Sequence, residues 1–311
     1  MDREKFIKFF CEHRKCAPSS ARTTFYALKR VRKLARLDEK IPKGYKWINK
    51  KIYEKLKTIE NLKSRKNVAT ALVSYLKVLK APKTFVENAV GIMMKLSKEQ
   101  DLIYQKQQKS TKQERNWITP KKIRGFLKEK ASQVKEKNLY DKASWTPSDK
   151  KLAMNHLMLV LHSNNPPRLE FSQLVYTEKQ ELPPNGNWLY QKKRQWFALI
   201  NNSKTSRKKG PFLIKFANPV SRVLNLYKHH FKAERPIFTS KTGKIISRNN
   251  YGKQLTKLMQ DRFGKKVSAS LLRTIFLSDK YAGMPRLKDM QKTANDMGHS
   301  IKTAMSKYVK I

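Results

Sequence analysis

The chain has 311 residues, enough for one large domain or two modest ones. Its 70 Lys and Arg face 23 Asp and Glu, a formal charge of +47, and 39% of its residues are apolar. The apolar share excludes wholesale disorder, and a charge of that size opposes compaction unless a polyanion neutralises it, so a nucleic acid is the expected partner. A membrane surface is the rival partner. It would show as one basic amphipathic helix, whereas here the charge runs along the whole chain. No apolar run approaches the ~18 residues of a membrane span. The first residues, MDREKFIKFFCEHRKC, carry no signal-peptide core, so an intracellular protein is expected. Cys11 and Cys16 read as a reduced pair, and nothing near them supplies the further ligands of a zinc site, so no metal is expected.

Residues 1 to about 82 read as helices. Asp2 suits the cap of a first helix carrying Phe6, Ile7, Phe9 and Phe10, and Pro18-Ser19-Ser20 ends it. Ser20 is the expected cap of a second helix, in which Phe25, Leu28, Val31 and Leu34 recur one turn apart. Its opposite face is expected to present Arg22, Lys29, Arg30, Arg32, Lys33 and Arg36 to a DNA backbone. Ile52, Leu56 and Ile59 mark a short helix, Asn67 to Leu79 another, and Phe85 to Leu96 a last one. The stretch from about 97 to 113 is polar and charged and reads as a linker. The expected organisation is therefore a helical DNA-binding domain over 1–113 and a second domain over 114–311.

In the second part, Thr119-Pro120 and Thr146-Pro147-Ser148 each start a helix, with Thr as cap and Pro at the first position. Trp188 to Tyr190, Trp196 to Ile200 and Phe212 to Phe216 are short aromatic and β-branched runs between turn residues, and predict three strands of a small antiparallel sheet. The segment NNSKTSRKKG, Asn201 to Gly210, becomes a basic hairpin loop, with Arg207, Lys208 and Lys209 as further DNA-binding candidates. From Pro219 onward the chain reads as helical. The predicted class is mostly α with a small antiparallel β-sheet.

Five positions stand out for chemistry. Arg168 follows Asn164-Asn165-Pro166-Pro167, and the prolines place it in the first turn of an expected helix, where N–H groups would favour a phosphate. The plain alternative is an ion pair with Glu170 or another carboxylate. Lys204 falls in the hairpin loop. Arg273 interrupts the apolar run LLRTIFL, and a cation there is costly to bury without an anionic partner. Gly298-His299-Ser300 follows, and Tyr308 comes nine residues after His299. Taken singly, each has an ordinary structural reading.

Taken in order, Arg168, Lys204, Arg273, His299 and Tyr308 resemble the catalytic set of the tyrosine recombinases, or phage-type integrases. The Gly-His-Ser context and the nine-residue step to Tyr308 match that family. The segment Pro167-Arg168-Leu169-Glu170-Phe171 looks like the variant found in integrases of large DNA viruses, virophages and related mobile elements. The resemblance covers about 115 to 311 well and the N-terminal helices less specifically. It implies a two-domain recombinase architecture: a helical core-binding domain and an α+β catalytic domain. It also implies double-stranded DNA as the partner, self-association on it from dimer to tetramer, and a location wherever the DNA lies, host nucleus or viral factory. In that chemistry Tyr308 is the nucleophile, Arg168 and Arg273 hold the phosphate, Lys204 is the general acid and His299 hydrogen-bonds the phosphate. No metal, ATP or other cofactor takes part.

Two departures stand beside the resemblance. The family's usual His three residues before the second Arg is Ser270 here, a poor proton carrier. Only Val309, Lys310 and Ile311 follow Tyr308, so assembly is expected to use surfaces other than a C-terminal segment. The alternatives are a type IB-like DNA topoisomerase, whose Ser-Lys-x-x-Tyr ending is imperfectly echoed by Ser306-Lys307-Tyr308, and a catalytically inactive DNA-binding relative. A lysine-rich packaging protein would explain the charge but not the ordered set.

Overall fold

The computed structural model describes residues 1–163, 168–203, 206, 210–240, 242–296 and 301. The chain divides into two compact units: Met1–Gln108 together with the segment from Pro285, and Lys109–Met284. The first unit is helical. It contains α1 (Arg3–Arg14), α2 (Pro18–Leu34), α3 (Lys50–Lys57), α4 (Leu62–Val78) and α5 (Lys83–Gln105). Asp2 caps α1 by accepting from the Lys5 N–H at 2.9 Å, and Asn61 caps α4 by accepting from Ser64 at 2.9 Å. Ser20 is not the cap of α2, as expected, but lies inside it. Pro18 already has the backbone angle of a first helical residue, so the helix begins there, after Ala17.

α4 is the centre of this unit: Val68, Ala69, Ala71, Leu72, Val73, Tyr75 and Leu76 are all buried. α1 and α2 supply Phe6, Phe10, Phe25 and Leu28 to the same core, with the Phe6 and Tyr75 rings 5.6 Å apart. The polar stretch expected as a linker is largely helical. α5 continues to Gln105, and α6 (Thr111–Asn116) opens the second unit with a capping box between Ser110 and Gln113. Lys, Glu, Gln and Leu are strong helix formers, so this stretch winds up although Leu102, Ile103 and Tyr104 stay exposed.

The second unit continues with α7 (Pro120–Glu136) and α8 (Pro147–His162). Thr119 and Thr146 cap them as their spacing predicts, Thr146 in a capping box with Asp149. β1 (Leu174–Tyr176), β2 (Asn187–Lys192), β3 (Gln195–Ile200), β4 (Phe212–Lys215) and β5 (Arg235–Pro236) form one sheet in the order β4-β3-β2-β1-β5. The three predicted strands are present and pair antiparallel with one another, but the sheet is mixed, because β1 pairs with β2 in parallel. β1 and β5 were not legible: runs of three and two residues are too short to show alternation. α9 (Asn218–Tyr227), α10 (Arg248–Phe263) and α11 (Ala269–Lys280) complete this unit, and α12 (Leu287–Asp296) belongs to the first. The architecture is mostly helical with one small mixed sheet.

Two histidines are buried in α8. The His156 Nδ1 and the Tyr227 hydroxyl are hydrogen-bonded at 3.0 Å, and burial holds the imidazole at about 4, below its ordinary 6.5. Burial pushes His162 down as well. A depressed folded-state value means that stability is complete above pH 6.5 and is lost as pH falls through 6.5 towards 4, because the unfolded chain takes the protons first. Unfolding free energy followed by urea titration is therefore expected to drop over that window, by at most about 3 kcal/mol for His156. His156→Gln should flatten the slope; an unchanged slope would remove His156 as its cause.

Candidate functional site

After α8 the chain reaches Arg168 and Leu169 and makes a single 3₁₀ turn, Glu170–Gln173. Arg168 thus precedes a four-residue turn rather than sitting in the first turn of an α-helix, as expected, and it gains no helix N-terminus. The reason is the strand that follows: Leu174, Tyr176 and Phe171 are buried in the core, which pulls the chain into β1 after one turn. Arg168 is exposed, and it makes no ion pair with a described residue. Glu170 instead turns inward, 5% exposed, and its Oε2 has no hydrogen-bond partner among the described residues. His162 Nε2 is buried as well, and the main chain of Arg168 partly offsets the effect of burial on the imidazole. Its Nδ1–H donates to the Met158 carbonyl at 2.9 Å. The simple reading of Arg168 as the partner of Glu170 is therefore not what the structure shows.

Leu169 packs beside α10 at a point where α10 carries Gly252. A Cβ on Gly252 would come within 3.3 Å of the Leu169 side chain, so the glycine permits the close approach of helix and turn. Between them opens a cavity of about 730 Å³ lined by Arg168, Lys253, Lys257, Ser268 and Ser270 among others. Lys253 and Lys257 are four residues apart on α10 and so share a face. Asp261, on the same lining, is its acidic group.

Ser268 caps α11 by accepting from the Leu271 N–H at 3.3 Å, which starts the helix just before Ser270. Leu271, Leu272 and Ile275 are buried, and they fix the rotation of α11. Arg273, one turn beyond Ser270 on the same side, is half-buried and makes no hydrogen bond or ion pair with a described residue. The fold thus brings Arg168 and Ser270 to one cavity and sets Arg273 next to Ser270 along the helix. Lys253 and Lys257 were missed in the sequence. Their spacing is the only signal, and it is drowned among 70 basic residues.

β3 and β4 pair antiparallel, with Ile200 opposite Phe212, so the segment joining them closes a hairpin. Lys204, Arg207, Lys208 and Lys209 in that segment lie outside the described residues, as do Asn164 to Pro167, His299 and Tyr308. Among the described residues no group of His, Cys, Asp and Glu is disposed to hold a metal, and Cys11 and Cys16 are not bridged.

In the first unit, Arg22, Arg30 and Lys33 are exposed on α2. Lys29 pairs with Glu39 at 2.6 Å. Arg32 departs from the expected basic face: it is 5% exposed, donates from Nε to the Asp38 carbonyl at 2.8 Å, and lies 4.8 Å over the Trp47 ring. It stands four residues after Leu28, which is on the buried side of the helix. Arg32→Gln is expected to lower stability by about 1–3 kcal/mol and to leave the salt dependence of DNA binding unchanged. On the expectation that the exposed basic face of α2 holds DNA, Arg30→Gln should leave the melting point alone and reduce the salt slope of DNA affinity by about 1. Melting curves and fluorescence anisotropy at several salt concentrations separate the two, and the reverse pattern would return Arg32 to the DNA face.

No family model and no curated protein matches this chain. Among the described residues no helix is long and apolar enough to cross a membrane.

Proposed function

We propose that this chain is a site-specific DNA strand transferase of the tyrosine recombinase type, serving integration or excision of a viral or mobile element. The observation that carries the reading is the meeting of Arg168 and Ser270, far apart in sequence, on one cation-lined cavity, with Arg273 one turn beyond Ser270 and lacking an ion-pair partner among the described residues. A cavity edged by Arg168, Lys253 and Lys257 suits a phosphodiester, because guanidinium holds non-bridging oxygens with two parallel hydrogen bonds.

In this reading the Tyr308 hydroxyl gives up its proton to solvent as its oxygen attacks phosphorus in line. The bond from tyrosine oxygen to phosphorus forms, the bond from phosphorus to the 5′-oxygen breaks, and a 3′-phosphotyrosyl link results. Lys204 gives its proton to the leaving 5′-oxygen, and Arg168 and Arg273 stabilise the extra charge of the transition state. His299 donates to the phosphate, and the Ser270 hydroxyl replaces the more usual imidazole. Rejoining reverses the steps with a 5′-hydroxyl from another strand, so the bond energy is conserved without ATP. The helical first unit, through Arg22, Arg30 and Lys33, would hold the duplex by its backbone.

The test uses a nicked DNA substrate drawn from the ends of the element that encodes the gene. An adduct that survives denaturant is expected with the unmodified chain and is absent with Tyr308→Phe, while DNA affinity is retained. Tight binding without any adduct would convert the reading to an inactive DNA-binding relative. Robust relaxation of a supercoiled plasmid lacking the site would favour a topoisomerase.

A further inference from the structure

Asn187 opens β2 with its side chain buried, 1% exposed. Its Nδ2 donates to the main-chain oxygens of Glu170 at 3.2 Å and Asn202 at 3.4 Å, and its Oδ1 accepts from the Asn202 N–H at 2.8 Å. Both amide hydrogens and the oxygen are spent on the main chain of two other segments. Arg248, the first residue of α10, repeats the link: Nε donates to Gln173 Oε1 at 3.1 Å, and a terminal nitrogen donates to the Asn202 carbonyl at 2.6 Å. The Asn202 carbonyl therefore receives donors from both residues.

The anchored segments are the 3₁₀ turn Glu170–Gln173 and the root of the β3–β4 connection at Asn202. Arg168 lies two residues before the first, and Lys204 two residues after the second. Packing alone gives no reason for an amide at Asn187. Its neighbours Trp188 and Leu189 are apolar and buried, and an amide in such a place is costly unless fully hydrogen-bonded. What an apolar residue could not supply is a directional link to two separate stretches of backbone.

We propose that Asn187, backed by Arg248, is a positioning residue that holds the turn following Arg168 and the root of the segment carrying Lys204 in one register. The inference rests on the strand-transfer reading above. There, the arginine grips a non-bridging oxygen and the lysine protonates the leaving oxygen of the same phosphate. Two groups on separate loops must then address neighbouring atoms, and a misplacement of about 1 Å costs about a hundredfold in rate. One buried amide that bonds both loop roots couples their positions, so neither can shift without the other.

Asn187→Leu keeps the branched shape and the number of heavy atoms and removes all three hydrogen bonds; Arg248→Gln removes the outer link. Peptide-resolved hydrogen exchange on the free protein should show faster exchange in residues 168–174 and 200–203 together. In single-turnover adduct formation at saturating DNA, the rate constant of Asn187→Leu should fall about a hundredfold, with DNA affinity unchanged. Combined with Lys204→Ala, Asn187→Leu should add little, because both act on one proton transfer.

A lower amplitude with an unchanged rate constant would mean that only the folded fraction had changed, and would overturn the proposal, as would full additivity with Lys204→Ala. Failure of the strand-transfer reading looks different: the unmodified chain then forms no adduct, and the catalytic role of Asn187 falls with it. The register claim is still decided, because faster exchange in only one of the two peptides refutes it.

Discussion

Arg273→Leu is expected to slow formation of the phosphotyrosyl adduct by about 10²–10³-fold while leaving the melting point of the protein unchanged or raised. On the strand-transfer reading proposed above, the rate effect would follow from removing a cation that offsets charge developing only in the transition state. The stability effect follows from the surroundings of the side chain. α11 buries Leu271, Leu272 and Ile275, and Arg273 is half-buried beside them with no ion pair to a described residue. A cation only partly exposed to water and without an ion-pair partner among the described residues is a cost to the fold, and leucine removes it at equal helix propensity. Arg273→Lys should fall between, because an ammonium lacks the planar fork that grips two oxygens. Single-turnover kinetics beside thermal melts test both halves. A clear loss of melting point with an unchanged rate would make Arg273 a structural residue and remove it from the site.

The largest stability effect is expected at Trp196. The side chain is fully buried in β3, its ring lies 5.8 Å from Tyr176 and 5.9 Å from Phe231, and Nε1 donates to Asn225 Oδ1 at 2.7 Å. Trp196→Ala should cost the second unit about 3–5 kcal/mol, from lost burial and the cavity left behind. Trp196→Phe keeps most of the apolar area, and Asn225 Oδ1 still receives Gln191 Nε2 at 2.8 Å, so the cost should be well below that of alanine. Urea unfolding followed by circular dichroism measures both. A cost under about 1 kcal/mol for alanine would show that the sheet is not held from this point. Because β3 leads directly into Asn202, loss of Trp196 should also loosen the root of the hairpin, as faster exchange in residues 200–203.

Several features could be read locally because their physics is local. Thr119-Pro120 and Thr146-Pro147 announced helix starts because cap and first-turn geometry depend on a few neighbouring residues. The runs at Trp188, Trp196 and Phe212 announced strands because their residue types favour a pleated, half-buried surface. Arg273 drew notice because one cation within an apolar helix is visible without coordinates. The candidate site was legible as an ordered list of residue types, not as a place.

What tertiary structure decided lies where distant segments compete for the same groups. Arg32 looked like part of a basic face, but the fold turns it to the Asp38 carbonyl and the Trp47 ring, partners that no helical periodicity reveals. β1 pairs with β2 in parallel because Leu174 and Tyr176 are drawn into a core assembled from α8, β2 and β3, and that same pull leaves Arg168 before a short turn rather than in a helix. Glu170 points inward although it stands two residues from an exposed arginine. Asn187 carried no signal at all, since its three hydrogen bonds reach backbone more than a dozen residues away on either side. By itself the sequence determined the Thr-Pro helix starts, the central strands, the basic character and the types of residue available for chemistry, all of which follow from short-range geometry and composition. The direction of each charged side chain and the meeting of Arg168 with Ser270 depended on long-range burial, which acts only once the whole unit has closed around its core.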